Sequence, residues 1–150
     1  AINIMEAAQE MHNKKLTFSP KAEEELKVFS RAVQDIVEKA YAVFRDQDEK
    51  LAQKVEPLEA VVDDLNQEVK KRHIRRLRNG KCTIELGFIL SDITTSLERV
   101  ADHCSNIAVC VTQVRDDTYD THGYLNSVKN EDSEIFRGLV LEAEEKYLLP

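Results

Sequence analysis

The stretch Leu86-Gly87-Phe88-Ile89-Leu90-Ser91-Asp92-Ile93-Thr94-Thr95-Ser96-Leu97-Glu98-Arg99-Val100-Ala101-Asp102-His103-Cys104-Ser105-Asn106-Ile107-Ala108-Val109-Cys110-Val111-Thr112-Gln113-Val114 decides the fold. Within it Leu86, Leu90, Ile93, Leu97, Val100, Cys104, Ile107, Val111 and Val114 recur in alternating steps of four and three. That spacing places them on one face of a long α-helix, and no strand would collect them on one side. Two earlier stretches repeat the pattern. Ala22, Leu26, Phe29, Val33, Ile36, Ala40 and Phe44 form the first stripe, and Leu51, Val55, Leu58, Val62, Leu65 and Val69 the second.

The junctions agree with the stripes. Ser19-Pro20 opens the first helix as N-cap and first helical residue, and Glu23, Glu24 and Glu25 suit the positive end of its dipole. Arg45-Asp46-Gln47-Asp48 interrupts the pattern, Asn79-Gly80 ends the second helix as a C-cap, and Thr83 caps the third. Pro57 predicts a kink or a helix that starts at Glu56. Short connections between long helices make sequence neighbours antiparallel. The fold class is therefore all-α, an up-down antiparallel three-helix bundle with helices near 19–48, 49–79 and 83–116. Residues 1–18 are expected to form an N-terminal connector in which Ile2 to Met11 could coil into a short helix. Residues 117–150 should supply a polar loop and a short C-terminal helix from Ser133 to about Tyr147, packed on the bundle.

Composition narrows the function classes. The 150 residues suffice for one domain with a single core. A net charge of −7 argues against a nucleic-acid binder. No apolar run approaches the ~20 residues of a membrane span, and no signal-peptide pattern opens the chain. Its start at Ala1 points to a trimmed natural sequence. The three cysteines, Cys82, Cys104 and Cys110, lack metal-knuckle spacing and fit a reducing, cytoplasmic setting.

Two segments carry Glu-x-x-x-Asp: Glu59 with Asp63, and Glu98 with Asp102. Each pair stacks like charges on one helix face, at a cost of roughly 0.2–0.5 kcal/mol unless a cation compensates. Glu59 follows the stripe residue Leu58 and Glu98 follows Leu97, so both pairs occupy the same shoulder of their stripes. If those shoulders face each other, four carboxylates converge on a site for an oxygen-seeking cation. The alternative is a solvated acidic ridge, since Glu6 with Glu10, Asp64 with Glu68 and Asp116 with Asp120 have the same spacing. Lys70, Lys71, Arg72, Arg75, Arg76 and Arg78 concentrate positive charge at the end of the second helix. They either complement the helix dipole or meet anionic headgroups. Di-iron oxidases of helical bundles use Glu-x-x-His, and no Glu precedes any histidine here by three positions, so no catalytic residue is expected.

Leu97-Glu98-Arg99-Val100-Ala101-Asp102-His103-Cys104-Ser105-Asn106-Ile107-Ala108 closely resembles the third-helix signature of PhoU domains. Leu58-Glu59-Ala60-Val61-Val62-Asp63-Asp64-Leu65 is similar to the second-helix signature. The segments His73 to Thr83 and Lys146 to Pro150 resemble the branch of that family fused to sodium/phosphate cotransporters, and the likeness runs over about residues 20 to 147. The resemblance implies a PhoU-like, non-enzymatic regulatory domain of phosphate transport, held at the inner face of the cell membrane by the transporter domain of its own polypeptide. It further implies a multinuclear iron or zinc site with Glu59, Asp63, Glu98 and Asp102 as ligands. Arg99, His103 and Asn106 would support those carboxylates from behind. Classical members hold two such units and this chain one, so a homodimer is a further expectation. The alternatives are a stand-alone PhoU-like phosphate-signalling regulator and a metal-free helical scaffold.

Overall fold

The structure, a computed structural model, describes residues 2–116 and 134–150. Every regular element among them is helical: α1 (Ile2–Lys14), α2 (Pro20–Asp46), α3 (Glu49–Ala52), α4 (Val55–Arg78), α5 (Ile84–Asp116) and α6 (Glu134–Lys146). Asp116, the expected start of the polar loop, ends α5, and the rest of that loop, to Asp132, lies outside the described residues. Helices α2, α4 and α5 pack on one another as the antiparallel bundle, α1 lies along α5, and α6 lies along α4. No described helix is long and apolar enough to cross a membrane.

Local chemistry sets each boundary. The Ser19 hydroxyl accepts from the amide of Ala22 at 3.4 Å, with Pro20 at the first helical position of α2. Asp48 accepts from the amides of Lys50 and Leu51 and opens α3. The second long helix begins late, at Val55, and Pro57 is the reason. Its ring would clash with the carbonyl of Gln53, whereas within the first turn of α4 its missing N–H costs nothing. The apolar stripe from Leu51 to Val69 is thus carried by two helices instead of one. At the other end Gly80 takes φ +65°, with the Lys81 amide donating to the Arg76 carbonyl and the Gly80 amide to that of Leu77. This hydrogen-bond pair, with a left-handed residue just past the helix, satisfies the last carbonyls of α4. Thr83 caps α5 through the amide of Leu86.

The core is Phe29, Val33, Ile36, Ala40 and Val43 of α2, Val55, Leu58, Val62 and Leu65 of α4, and Ala101, Cys104, Ala108 and Val111 of α5. Among the described residues, three stripe positions are exposed. Val43, three residues after Ala40, is buried, and Phe44 is 63% exposed. On α5, Val100 and Ile107 are exposed, while Ala101, Ser105 and Ala108 face inward. A strict seven-residue repeat drifts by about 20° per heptad on a straight helix, so by Val100 one edge of the stripe has rotated off the core while Cys104 and Val111 on its other edge stay buried. Small residues, Ala101, Ser105 and Ala108, cover the core in place of the rotated edge.

A latch ties the C-terminal segment to α2. Asp35 accepts from Lys39 at 2.7 Å, Lys146 at 2.9 Å and the Tyr147 hydroxyl at 2.7 Å, and Tyr147 is buried. Burial acts to raise the Asp35 carboxyl, but the three donors outweigh it and hold the group at about 2. The stability this adds is present above the ordinary aspartate value and is lost as pH falls toward 2. Asp35→Asn should therefore flatten the acid limb of a stability-versus-pH curve below about pH 4. In chemical denaturation Phe29→Ala should cost about 3–5 kcal/mol, whereas Phe44→Ala should stay within about 0.5 kcal/mol of wild type.

Candidate functional site: a carboxylate ladder between α4 and α5

One buried hydrogen bond fixes how α4 and α5 align. The Ser105 hydroxyl donates to Glu56 Oε2, and both residues are buried. In an antiparallel pair, three residues onward from Glu56 and three back from Ser105 bring Glu59 level with Asp102. Another turn along each helix brings Asp63 level with Glu98. The two acidic pairs therefore face each other across the helix interface. The charge distribution agrees, because the Glu98 carboxyl is pushed up by burial, then by Asp102 on its own helix and by Asp63 from α4. Lys70 and Arg99 act in the opposite direction without cancelling the rise.

The members of this ladder differ in exposure. Glu59 is buried, Asp63 and Glu98 are half-buried, and Asp102 is exposed, so the ladder runs from the core edge to solvent. All four offer oxygen donors, a set that suits hard or borderline cations. Among the described residues, however, no three His, Cys, Asp or Glu side chains close around a single ion. Glu98 stands within electrostatic reach of Asp63 and Asp102, and the group forms no chelate. By itself the repulsion at Glu98 holds these side chains apart, and only positive charge between them would offset it. Arg99 is exposed and acts on Glu98 as a counter-charge. His103 and Asn106 are exposed too, and line a groove of about 760 Å³ beside Tyr41, Phe44 and Ile107.

The basic segment splits in two. Arg72 and Arg76 turn inward to the buried Glu25, Arg76 at 2.8 Å and Arg72 at 3.5 Å, and Arg72 also donates to the Pro150 carbonyl. Lys70 donates to Thr95 at 3.0 Å. Lys71, Arg75 and Arg78 point to solvent. Sequence reasoning assigned Glu25 to the helix dipole and missed its burial. The available signal was its place three residues after Ala22 and four before Phe29, on the stripe itself. Buried His73 was missed likewise. Its ring lies 3.6 Å from Cys82 Sγ, and burial, then Arg76, depress its protonation.

Fold and site together define an antiparallel helical bundle with carboxylates ranked along the seam of two helices. The PhoU domain family matches residues 26–111, more than half of the chain, and the chain belongs to that family. It is 28% identical over 105 residues to the phosphate-specific transport system accessory protein PhoU homolog 1 of Thermotoga maritima, covering 70% of this chain and 44% of that protein. The chain thus spans under half the length of this curated relative. No solved structure matches it.

The raised Glu98 carboxyl has a thermodynamic consequence. Its favourable contribution is complete below the unfolded glutamate value and is lost as pH rises through the folded one. Glu98→Gln should melt above wild type at pH 7 in chelator-treated protein, with the gap closing toward about pH 4.

Proposed function

We propose that this domain regulates phosphate transport, and that it does so as the cytoplasmic tail of a sodium/phosphate cotransporter. Membership of the PhoU family supports the regulatory half of the reading. The opposed acidic pairs support a further step, because a cation between them would offset the repulsion at Glu98. Without a cation, repulsion among Asp63, Glu98 and Asp102 loosens the seam. A divalent ion held by Glu59, Asp63, Glu98 and Asp102 supplies positive charge there and joins the two helices. Iron and zinc are the cations expected from the family resemblance. Binding to the folded state alone raises stability by mass action.

A second reading has its own support. The Thermotoga relative is called a transport-system accessory protein, which fits a separate regulator that docks on a transporter. The two readings differ in covalent context and share the same seam.

Elemental analysis and melting scans with iron, zinc or manganese test the seam, using wild type and Asp63→Asn/Glu98→Gln. Retained metal and a melting point raised by several degrees in wild type alone are expected. Uptake of labelled phosphate by cells carrying the intact gene tests the regulation, and the double substitution should change uptake at a given external phosphate. Unchanged uptake in cells with normal protein levels would reject a regulatory role for the seam.

A further inference from the structure

The outward half of the basic segment shares its face with bulky apolar side chains. A Cβ on Gly87 would come within 3.0 Å of His73 Nε2, so His73 and Gly87 mark the line where α4 meets α5 at this end. The next residue on each helix is turned by about 100°, and because the helices run antiparallel, both turn to the same side. Those residues are Ile74 and Phe88. Ile84 lies one turn before Phe88, Arg78 one turn after Ile74, Lys71 one turn before it, and Lys81 sits in the connecting turn. Ile74 is 48% exposed, Ile84 60% and Phe88 69%, and Lys71, Arg75, Arg78 and Lys81 are all exposed. In a chain of net charge −7, one end of the bundle is thus both cationic and apolar. Glu85 and Asp92 are the exposed acids of α5 beside it, and Glu68 engages Arg72 and, at 4.0 Å, Arg75.

We propose that this face docks on an anionic lipid bilayer, with Ile74, Ile84 and Phe88 entering the headgroup boundary and Lys71, Arg75, Arg78 and Lys81 meeting lipid phosphates. Cations ringing protruding apolar side chains match the layered chemistry of a charged interface over hydrocarbon. A second copy is a poor occupant, since a two-fold pairing of this face would set its cations against themselves. The inference is independent of the acidic seam and of the phosphate reading, because lipid binding is measurable without a transporter or a metal.

Co-sedimentation of the 150-residue chain with phosphatidylglycerol-rich vesicles, and separately with pure phosphatidylcholine vesicles, is the test. Binding roughly tenfold tighter to the anionic vesicles, and released by salt, is expected. Ile84→Ser/Phe88→Ser and Arg75→Gln/Arg78→Gln should each weaken it several-fold. Both pairs lie on the surface, and unchanged melting curves would show the fold intact. Equal affinity for the two vesicle types, no binding to either, or binding unmoved by both pairs would overturn the proposal. So would binding to an acidic polypeptide such as polyglutamate but not to vesicles, which would assign the face to a protein partner.

Discussion

The alignment of α4 against α5, held by the buried hydrogen bond from Ser105 to Glu56, governs what the rest of the molecule can do. A shift of one residue along either helix would swing Asp63 and Glu98 about 100° apart. It would also carry His73 off the one position on α5, Gly87, that has no Cβ to obstruct it. Apolar packing alone tolerates such slips, because Val, Leu and Ala differ little in what they demand. A buried hydroxyl–carboxylate pair does not, because losing a partner leaves a polar group stranded at about 1–3 kcal/mol. The hydrogen bond at one end of the seam and the close fit of His73 over Gly87 at the other therefore fix a register that hydrophobic burial only favours.

Acids in this bundle play two opposed parts. Glu25 is buried among the core residues, but Arg76 and Arg72 reach it from α4, and the pairing welds α2 to α4. Asp35 is similarly provided for by Lys39, Lys146 and Tyr147. At the seam burial, then Asp102 and Asp63, outweigh Lys70 and Arg99, and the Glu98 carboxyl is raised where that of Asp35 is depressed. Cations reach Glu25 and Asp35, so of these three acids Glu98 is the one where like charge prevails. There a cation would find both charge and donors.

The helices were legible because burial periodicity is written directly in residue order. Ser19, Thr83 and Gly80 lie at the ends they predict, since capping depends on local chemistry. The phase of a long stripe was less legible. Val100 and Ile107 satisfy a seven-residue repeat, but only the crossing of α5 with its neighbours decides which edge of that stripe is covered, and Ala101, Ser105 and Ala108 take it. Glu59, Asp63, Glu98 and Asp102 could be named from spacing, and their facing arrangement follows from Ser105–Glu56, a contact that no spacing rule announces. Glu25 with Arg76, separated by most of two helices in sequence, was invisible for the same reason.

The facing of acids across the seam is measured most directly by carbon-detected NMR titration of the Glu98 side-chain carboxyl in metal-free protein. Wild type, Asp63→Asn and Asp102→Asn should be compared. In wild type the Glu98 carboxyl should titrate above the ordinary glutamate value of about 4.3, and each substitution should bring it down. The response to Asp63→Asn is the decisive one, because Asp63 belongs to the other helix. A Glu98 that titrates at or below the ordinary value, or that moves with Asp102 and ignores Asp63, would contradict the register and the ladder built on it.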